Sequence, residues 1–193
     1  MTRSDNVYEL PKDLPVPQDD GACAHLTGMP VPSVALPSTS GGTVDLSTLP
    51  GRAVVFCYPR TGVPDKPPAQ GWDDIPGARG CTPQACAFRD YHAELKGFGI
   101  IEVFGLSTQD TAYQQEVVRR LHLPFAMLSD EKLAFTRALN LPTFEVEGVR
   151  LTKRVTLILH AGTIEHVFYP VFPPDANAPA VIHWLMERST AGH

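Results

Sequence analysis

Residues 52 to 59, RAVVFCYP, leave this chain fewer options than any other stretch. A compact run of β-formers without polar alternation must be covered on both faces, so it reads as the central strand of a sheet packed between two layers, ended by Pro59. At 193 residues the chain has the length to build both layers within one domain, and a second full domain is not expected.

The segments after this strand supply the layers. CTPQACAFRDYHAELKGFG (81–99) reads as a helix: Pro83 suits a first turn, Ala85, Phe88, His92 and Leu95 recur at helical spacing, and Gly97 and Gly99 end it. IIEVFGLS (100–107) reads as a strand, TAYQQEVVRRLHL (111–123) as a helix, FAMLSD as a short strand and EKLAFTRALN as a helix. RLTKRVTLILHAGTIEHVFYP holds two strands about a tight turn at His160-Ala161-Gly162-Thr163, and an amphipathic helix follows from about Ala178 to Arg188. Ahead of the central strand, VPSVALPSTSGGTVDLSTLPG reads as a small hairpin. The order βαβα and then ββα predicts an α/β, thioredoxin-like fold: a mixed central β-sheet flanked by helices, with an N-terminal hairpin. Residues 1–25, rich in Pro and Asp, read as an irregular extension, and 26–193 as the domain.

Composition removes several classes of function. A net charge of -5 and the lack of a basic run argue against a nucleic-acid binder. No apolar run approaches the ~20 residues of a membrane span. MTRSDNVYELPKDLPVPQDD has neither the apolar core of a secretory signal nor the Arg-rich character of a transit peptide, so the expected location is cytoplasmic. Four cysteines are too few and too unevenly placed for a disulfide scaffold, and none of the seven histidines completes a zinc site. No metal and no cofactor are expected.

The chemistry concentrates around residue 81. TGVPDKPPAQGWDDIPGARG (61–80) is too rich in Pro and Gly for regular structure and too long for an ordinary connection, as functional or disordered loops are. It delivers Cys81 to a helix N-terminus, where unpaired backbone N–H groups and the positive end of the helix dipole favour an anionic sulfur. Such a thiolate can attack a peroxide O–O bond and leave a sulfenic acid, which a second thiol captures as a disulfide. Cys86 is the candidate second thiol. On a regular helix, however, residues i and i+5 lie roughly 8 to 9 Å apart at Cα, beyond the ~7 Å that a disulfide tolerates, so oxidation requires local unwinding. On spacing alone, the alternative to a redox pair is two small apolar residues on one helix.

CTPQACAFRD (81–90) closely resembles the start of the active-site helix in peroxiredoxins of the bacterioferritin-comigratory, or peroxiredoxin Q, class. GMPVPSVALPSTSGGTVDLSTLPGRAVVFCYP, FGLSTQD and PFAMLSDEKLAFTRALN resemble further family segments, and the likeness runs from about residue 26 to 188. The resemblance implies a thiol peroxidase acting on hydrogen peroxide and organic hydroperoxides, with Cys81 peroxidatic and Cys86 resolving. Thioredoxin or a similar dithiol would recycle it, and the chain would be a monomer or weak homodimer. RVTLILHAGTIEHVF resembles the family strand that opens with the catalytic Arg, here Arg154, and Gln84 stands where the family places a residue bonded to that Arg.

The family pattern Pro-x-x-x-Thr-x-x-Cys is broken here: Asp74 and Ala78 occupy the Pro and Thr positions relative to Cys81. Pro59 is the better equivalent of the family Pro, which makes about fifteen loop residues an insertion, and Thr61 is the candidate for the missing hydroxyl, in competition with Thr82 and Arg79. Cys57 reads as a buried small hydrophobe, Cys23 as an alternative resolving thiol, His92 as a packing residue, and Trp72 and Tyr91 as neighbours of the pocket. The missing Thr keeps open a redox sensor or binding module with little peroxide turnover. A thioredoxin-type disulfide reductase is disfavoured because C-x-x-C is absent.

Overall fold

The computed structural model describes residues 6 to 191; residues 1–5 of the extension and 192–193 of the domain lie outside the described residues. An antiparallel hairpin, β1 (Ala35–Pro37) and β2 (Thr43–Asp45), turns through Gly41 and Gly42, both at positive φ. The central strand is β3 (Arg52–Cys57). The stretch from 81 to 99 forms α1 (Cys81–Asp90) and α2 (His92–Gly97). Tyr91, at φ -92° and ψ 6°, interrupts the helix, although the N–H of Tyr91 still donates to Ala87 and that of Leu95 to Tyr91.

Strand β4 (Ile100–Ser107) has the predicted bounds, and α3 (Thr111–Leu121) stops two residues early because His122 adopts a left-handed cap at φ 52°. Asp110 opens α3 by accepting the Tyr113 N–H at 2.8 Å, a capping bond worth about 1 kcal/mol. After β5 (Met127–Ser129), the helix expected over 131–140 shrinks to α4 (Ala134–Ala138). The cause is Asp130, whose carboxylate accepts the N–H groups of Phe135 and Thr136, so residues 131–133 serve as a turn. A second hairpin, β6 (Thr143–Val146) and β7 (Val149–Thr152), is absent from the sequence reading. Its turn is Glu147-Gly148, both at positive φ, the conformation of a two-residue hairpin loop. β8 (Val155–His160) and β9 (Thr163–Phe168) turn similarly through Ala161-Gly162, and α5 (Asn177–Ala191) closes the chain.

The five-stranded sheet has the order β5-β4-β3-β8-β9, with β3 parallel to β4 and antiparallel to β8. Val54, Phe56 and Tyr58 pack under α1, α2, α3 and α5, while Ala53, Val55 and Cys57 face α4 and the segment around the N-terminal hairpin. All six are fully buried. Phe56 stacks on Phe88 of α1 with ring centroids 4.5 Å apart, and burial of a side chain of this size contributes about 1.5–3 kcal/mol. That contact ties the helix bearing Cys81 to the strand on which the fold is centred.

Residues 6 to 20 form no regular element but lie against the domain. Arg79 donates to the Asn6 carbonyl at 2.9 Å, Arg120 donates to the Tyr8 hydroxyl at 3.2 Å, and Asp20 receives both Lys153 and the Tyr169 hydroxyl. Among the described residues no helix is long and apolar enough to cross a membrane.

Candidate active site

The entry to α1 is built around Gly80, whose φ of +108° favours glycine. A Cβ at this position would also lie 2.7 Å from Leu10 Cδ2 and from Pro174 Cγ, so the chain passes here where a larger residue does not fit. The Gln84 N–H donates to the Gly80 carbonyl, closing the first helical turn, and Cys81 stands at its start, 4% exposed.

Arg154, immediately before β8, reaches the sulfur: its Nη2 is 3.2 Å from Cys81 Sγ. The same nitrogen donates to the carbonyls of Gly77, Ala78 and Arg79 at 3.1 to 3.2 Å. Nη1 donates to Gln84 Oε1; Gln84 Nε2 in turn donates to Asn177 Oδ1 at 3.0 Å, and the Thr156 hydroxyl donates to the same oxygen at 2.7 Å. Every side chain in this chain of bonds is buried. A buried guanidinium costs several kcal/mol unless its donors are met, and here of its acceptors only the Cys81 sulfur can carry a full negative charge. Sequence reasoning named Arg154 and Gln84 but missed Asn177 and Thr156, which meet them only through tertiary packing.

On its open side Cys81 lines a cavity of about 430 Å³. Thr61 shares this wall, but its hydroxyl is engaged: Oγ1 donates to Gln109 Oε1 at 3.2 Å, the Thr61 N–H donates to the same oxygen, and the Tyr113 hydroxyl donates to the Thr61 carbonyl. Thr82 also lines the cavity, and its buried Oγ1 has no hydrogen-bond partner among the described residues. Arg79 is tied to the Asp73 carboxylate at 3.1 and 3.2 Å within the same wall. Trp72 belongs to the wall, with the Arg60 guanidinium 4.7 Å above its ring. Pro59 is buried but lies outside the lining, and Tyr91 stands 38% exposed at the α1–α2 break, away from it.

All four cysteines are free thiols. Cys81 and Cys86 lie on one regular helix, so the spacing argument against a bond within intact α1 holds here. Cys86 is half-buried against the core shared by α1 and α3, and burial pushes its thiol pKa up. Cys57 is fully buried on the opposite face of β3, and burial raises its pKa strongly. Cys23 is also buried on that side, away from Cys81, and its pKa is pushed up to about 12 by burial and then by Asp20 and Asp19. His92 packs 6.0 Å from Phe125, consistent with a packing role. Among the described residues no group of three His, Cys, Asp or Glu side chains is placed to hold a metal ion.

A mixed α/β sheet that presents a buried cysteine at a helix N-terminus, gripped by an arginine just ahead of a sheet strand, defines the class as a thioredoxin-like domain with a thiol site. The chain belongs to the redoxin family, whose description matches residues 26–182. It is similar to the chloroplastic peroxiredoxin Q of Oryza sativa subsp. japonica, with 30% identity over 151 residues, 78% of this chain and 62% of that protein. Thus the chain spans less than two thirds of that relative's length. With peroxiredoxin Bcp of Escherichia coli K12 it shares 29% identity over 163 residues, 82% of this chain and 94% of the relative. The fold matches the crystal structure of peroxidoxin BcpB from Mycobacterium tuberculosis with a TM-score of 0.68 at 24% identity, covering 84% of this chain and 98% of that one. These names bear out the resemblance carried by CTPQACAFRD, and the fold bears out the thioredoxin-like expectation.

Proposed function

We propose that the protein is a thiol peroxidase in which Cys81 is the nucleophile. The observation that supports this most is the 3.2 Å approach of Arg154 Nη2 to Cys81 Sγ at the head of a ten-residue helix, where the sulfur also lines an open cavity. The Cys81 thiolate attacks one oxygen of the hydroperoxide and the O–O bond breaks. Sulfur gains that oxygen as a sulfenic acid, and the other oxygen leaves as alkoxide or hydroxide and takes a proton. Arg154 stabilises the charge moving between sulfur and leaving oxygen, and Gln84, held by Asn177, orients the guanidinium. Thr61 positions the peroxide from the cavity side, and Pro59 shapes the turn that brings Thr61 there.

Cys86 then attacks the sulfenic sulfur, forming the Cys81–Cys86 disulfide and releasing water. Gln84 lies between the two cysteines, so the unwinding that joins them must also disrupt its bonds to Arg154 and Asn177. Oxidation and loss of the arginine clamp are therefore one event. A dithiol of the thioredoxin type reduces the disulfide and resets the helix. A reducing compartment such as the cytoplasm supplies that dithiol and is the location this reading implies. We assign a monomer or weak homodimer, the assembly that the likeness to the peroxiredoxin Q class implies.

Intact-mass measurement after one equivalent of hydrogen peroxide tests the scheme. Wild type loses about two mass units, Cys86→Ser gains roughly 16 as a trapped sulfenic acid, and Cys81→Ser is unchanged. Peroxide consumption by Cys81→Ser at the wild-type rate defeats the assignment. Single oxidation followed by negligible steady-state turnover with thioredoxin favours the sensor instead.

A further inference from the structure

A hydroperoxide has one reacting end, yet the space at Cys81 is far larger than that end needs. A cavity of about 430 Å³ falls in the range that holds whole organic ligands, whereas water, comparable to hydrogen peroxide in scale, takes about 30 Å³. Cys81, Thr82, Thr61 and Gln109 line the cavity, and the charged side chains of Arg60, Lys66, Arg79, Asp110 and Glu131 share the lining. Apolar side chains, among them Val7, Val63, Trp72 and Leu151, form much of the remaining wall.

Two of those wall segments are distinctive. Val63 and Trp72 lie in the loop that departs from the family pattern, and Val7 precedes residue 26, where the redoxin match begins. Val7 is fixed from both sides: Arg79 donates to the carbonyl of Asn6 before it, and Arg120 donates to the hydroxyl of Tyr8 after it, with the guanidinium 6.0 Å over the Tyr8 ring. The loop fits closely beneath, for a Cβ on Gly62 would lie 2.8 Å from Val7 Cγ1. Leu10 meanwhile packs on Gly80 at the very start of α1.

We infer that the N-terminal arm is part of the substrate site: Val7, with Trp72 and Val63 of the loop, forms an apolar subsite for the tail of an organic hydroperoxide whose O–O end reaches Cys81. This rests on the peroxidase reading above and deepens it, making Val7 a specificity-determining residue. Tail burial against these walls holds the hydroperoxide group over the sulfur, an advantage that hydrogen peroxide, with no tail, does not receive.

The test compares cumene hydroperoxide with hydrogen peroxide as substrates for the full chain in a thioredoxin-coupled assay. In Val7→Ala the ratio of the two kcat/KM values, cumene over hydrogen peroxide, falls about ten-fold, carried mainly by KM for the organic substrate. Gly62→Val, which pushes Val7 outward from the other side of the same contact, lowers the ratio in the same direction. An unchanged ratio in both variants, or equal loss with both peroxides, overturns the subsite while leaving the peroxidase intact. Failure of wild type to turn over either substrate instead removes the peroxidase reading, and the subsite with it.

Discussion

The two sides of Cys81 are made from different material. Behind the sulfur, Arg154, Gln84, Asn177 and Thr156 come from the residue just before β8, from α1, from the head of α5 and from β8 itself, and all are buried in one connected set of hydrogen bonds. In front of it, most of the wall comes from irregular chain, the arm, the 61–80 loop and residues after β4, with β7 adding Val149 and Leu151 and α3 adding Tyr113. Regular elements locked by core packing hold reacting groups in fixed positions, while loops on such a scaffold vary in shape and select what enters. The contrast implies that damage behind the sulfur lowers chemistry and stability together, whereas damage in front alters substrate binding.

Arg154→Met provides the severest test. It removes the charge beside Cys81 and leaves the carbonyls of residues 77 to 79 without their donor, so kcat/KM should drop by about 10²- to 10³-fold with either peroxide. A loss below ten-fold would mean that the rear wall does not carry the chemistry. Asn177→Ala comes next. It strips a shared acceptor from the buried Gln84 amide and Thr156 hydroxyl, and urea denaturation should show about 1–3 kcal/mol of lost stability alongside slower turnover.

A pH experiment separates both walls from the rest of the core. Burial raises the thiol pKa of Cys57 and Cys23 in the folded state, so each stays protonated where the unfolded chain ionises. Their stabilising contribution is complete below the ordinary thiol pKa near 9 and declines above it, by about 1 kcal/mol per thiol between pH 8 and 9.5. Urea titration of Cys57→Ala and Cys23→Ala against wild type should show the alkaline loss shrink by one thiol's share in each variant. An undiminished loss in both would show that other groups carry the alkaline transition. The smallest effect is expected in front: Gln109→Ala releases Thr61 and should raise KM about three-fold while leaving urea stability within ~0.5 kcal/mol. A stability loss equal to that of Asn177→Ala would erase the distinction between the walls.

Much of this was legible in the residues, and the failures have causes. Strand β4 matched its predicted bounds because Gly99 and the apolar run mark them, and the helix starting at Cys81 was announced by Pro83 and the helical spacing of Ala85 and Phe88. The β6–β7 hairpin went unread because its turn, Glu147-Gly148, lacks the usual Asn or Asp before Gly, although alternation in TFEV and VRLT was present as a signal. The helix at 131–140 was overextended because Asp130, read as the end of a strand, instead caps a shorter helix from outside. In the site, Thr61 lines the cavity wall, but only the tertiary structure reveals that Gln109 already holds its hydroxyl while that of Thr82 is unpartnered among the described residues.

The sequence by itself determined the central strand, the alternation of helix and strand, and the placement of a thiol at a helix head, because these depend on local backbone preference and on patterns a few residues long. Tertiary structure decided what surrounds that thiol. Arg154 lies 73 positions from Cys81, Asn177 lies 93 from Gln84, and Asn6 lies 73 from Arg79. Such contacts form only after the sheet has brought distant segments together, and side-chain hydrogen bonding across those separations leaves no periodic trace in the chain.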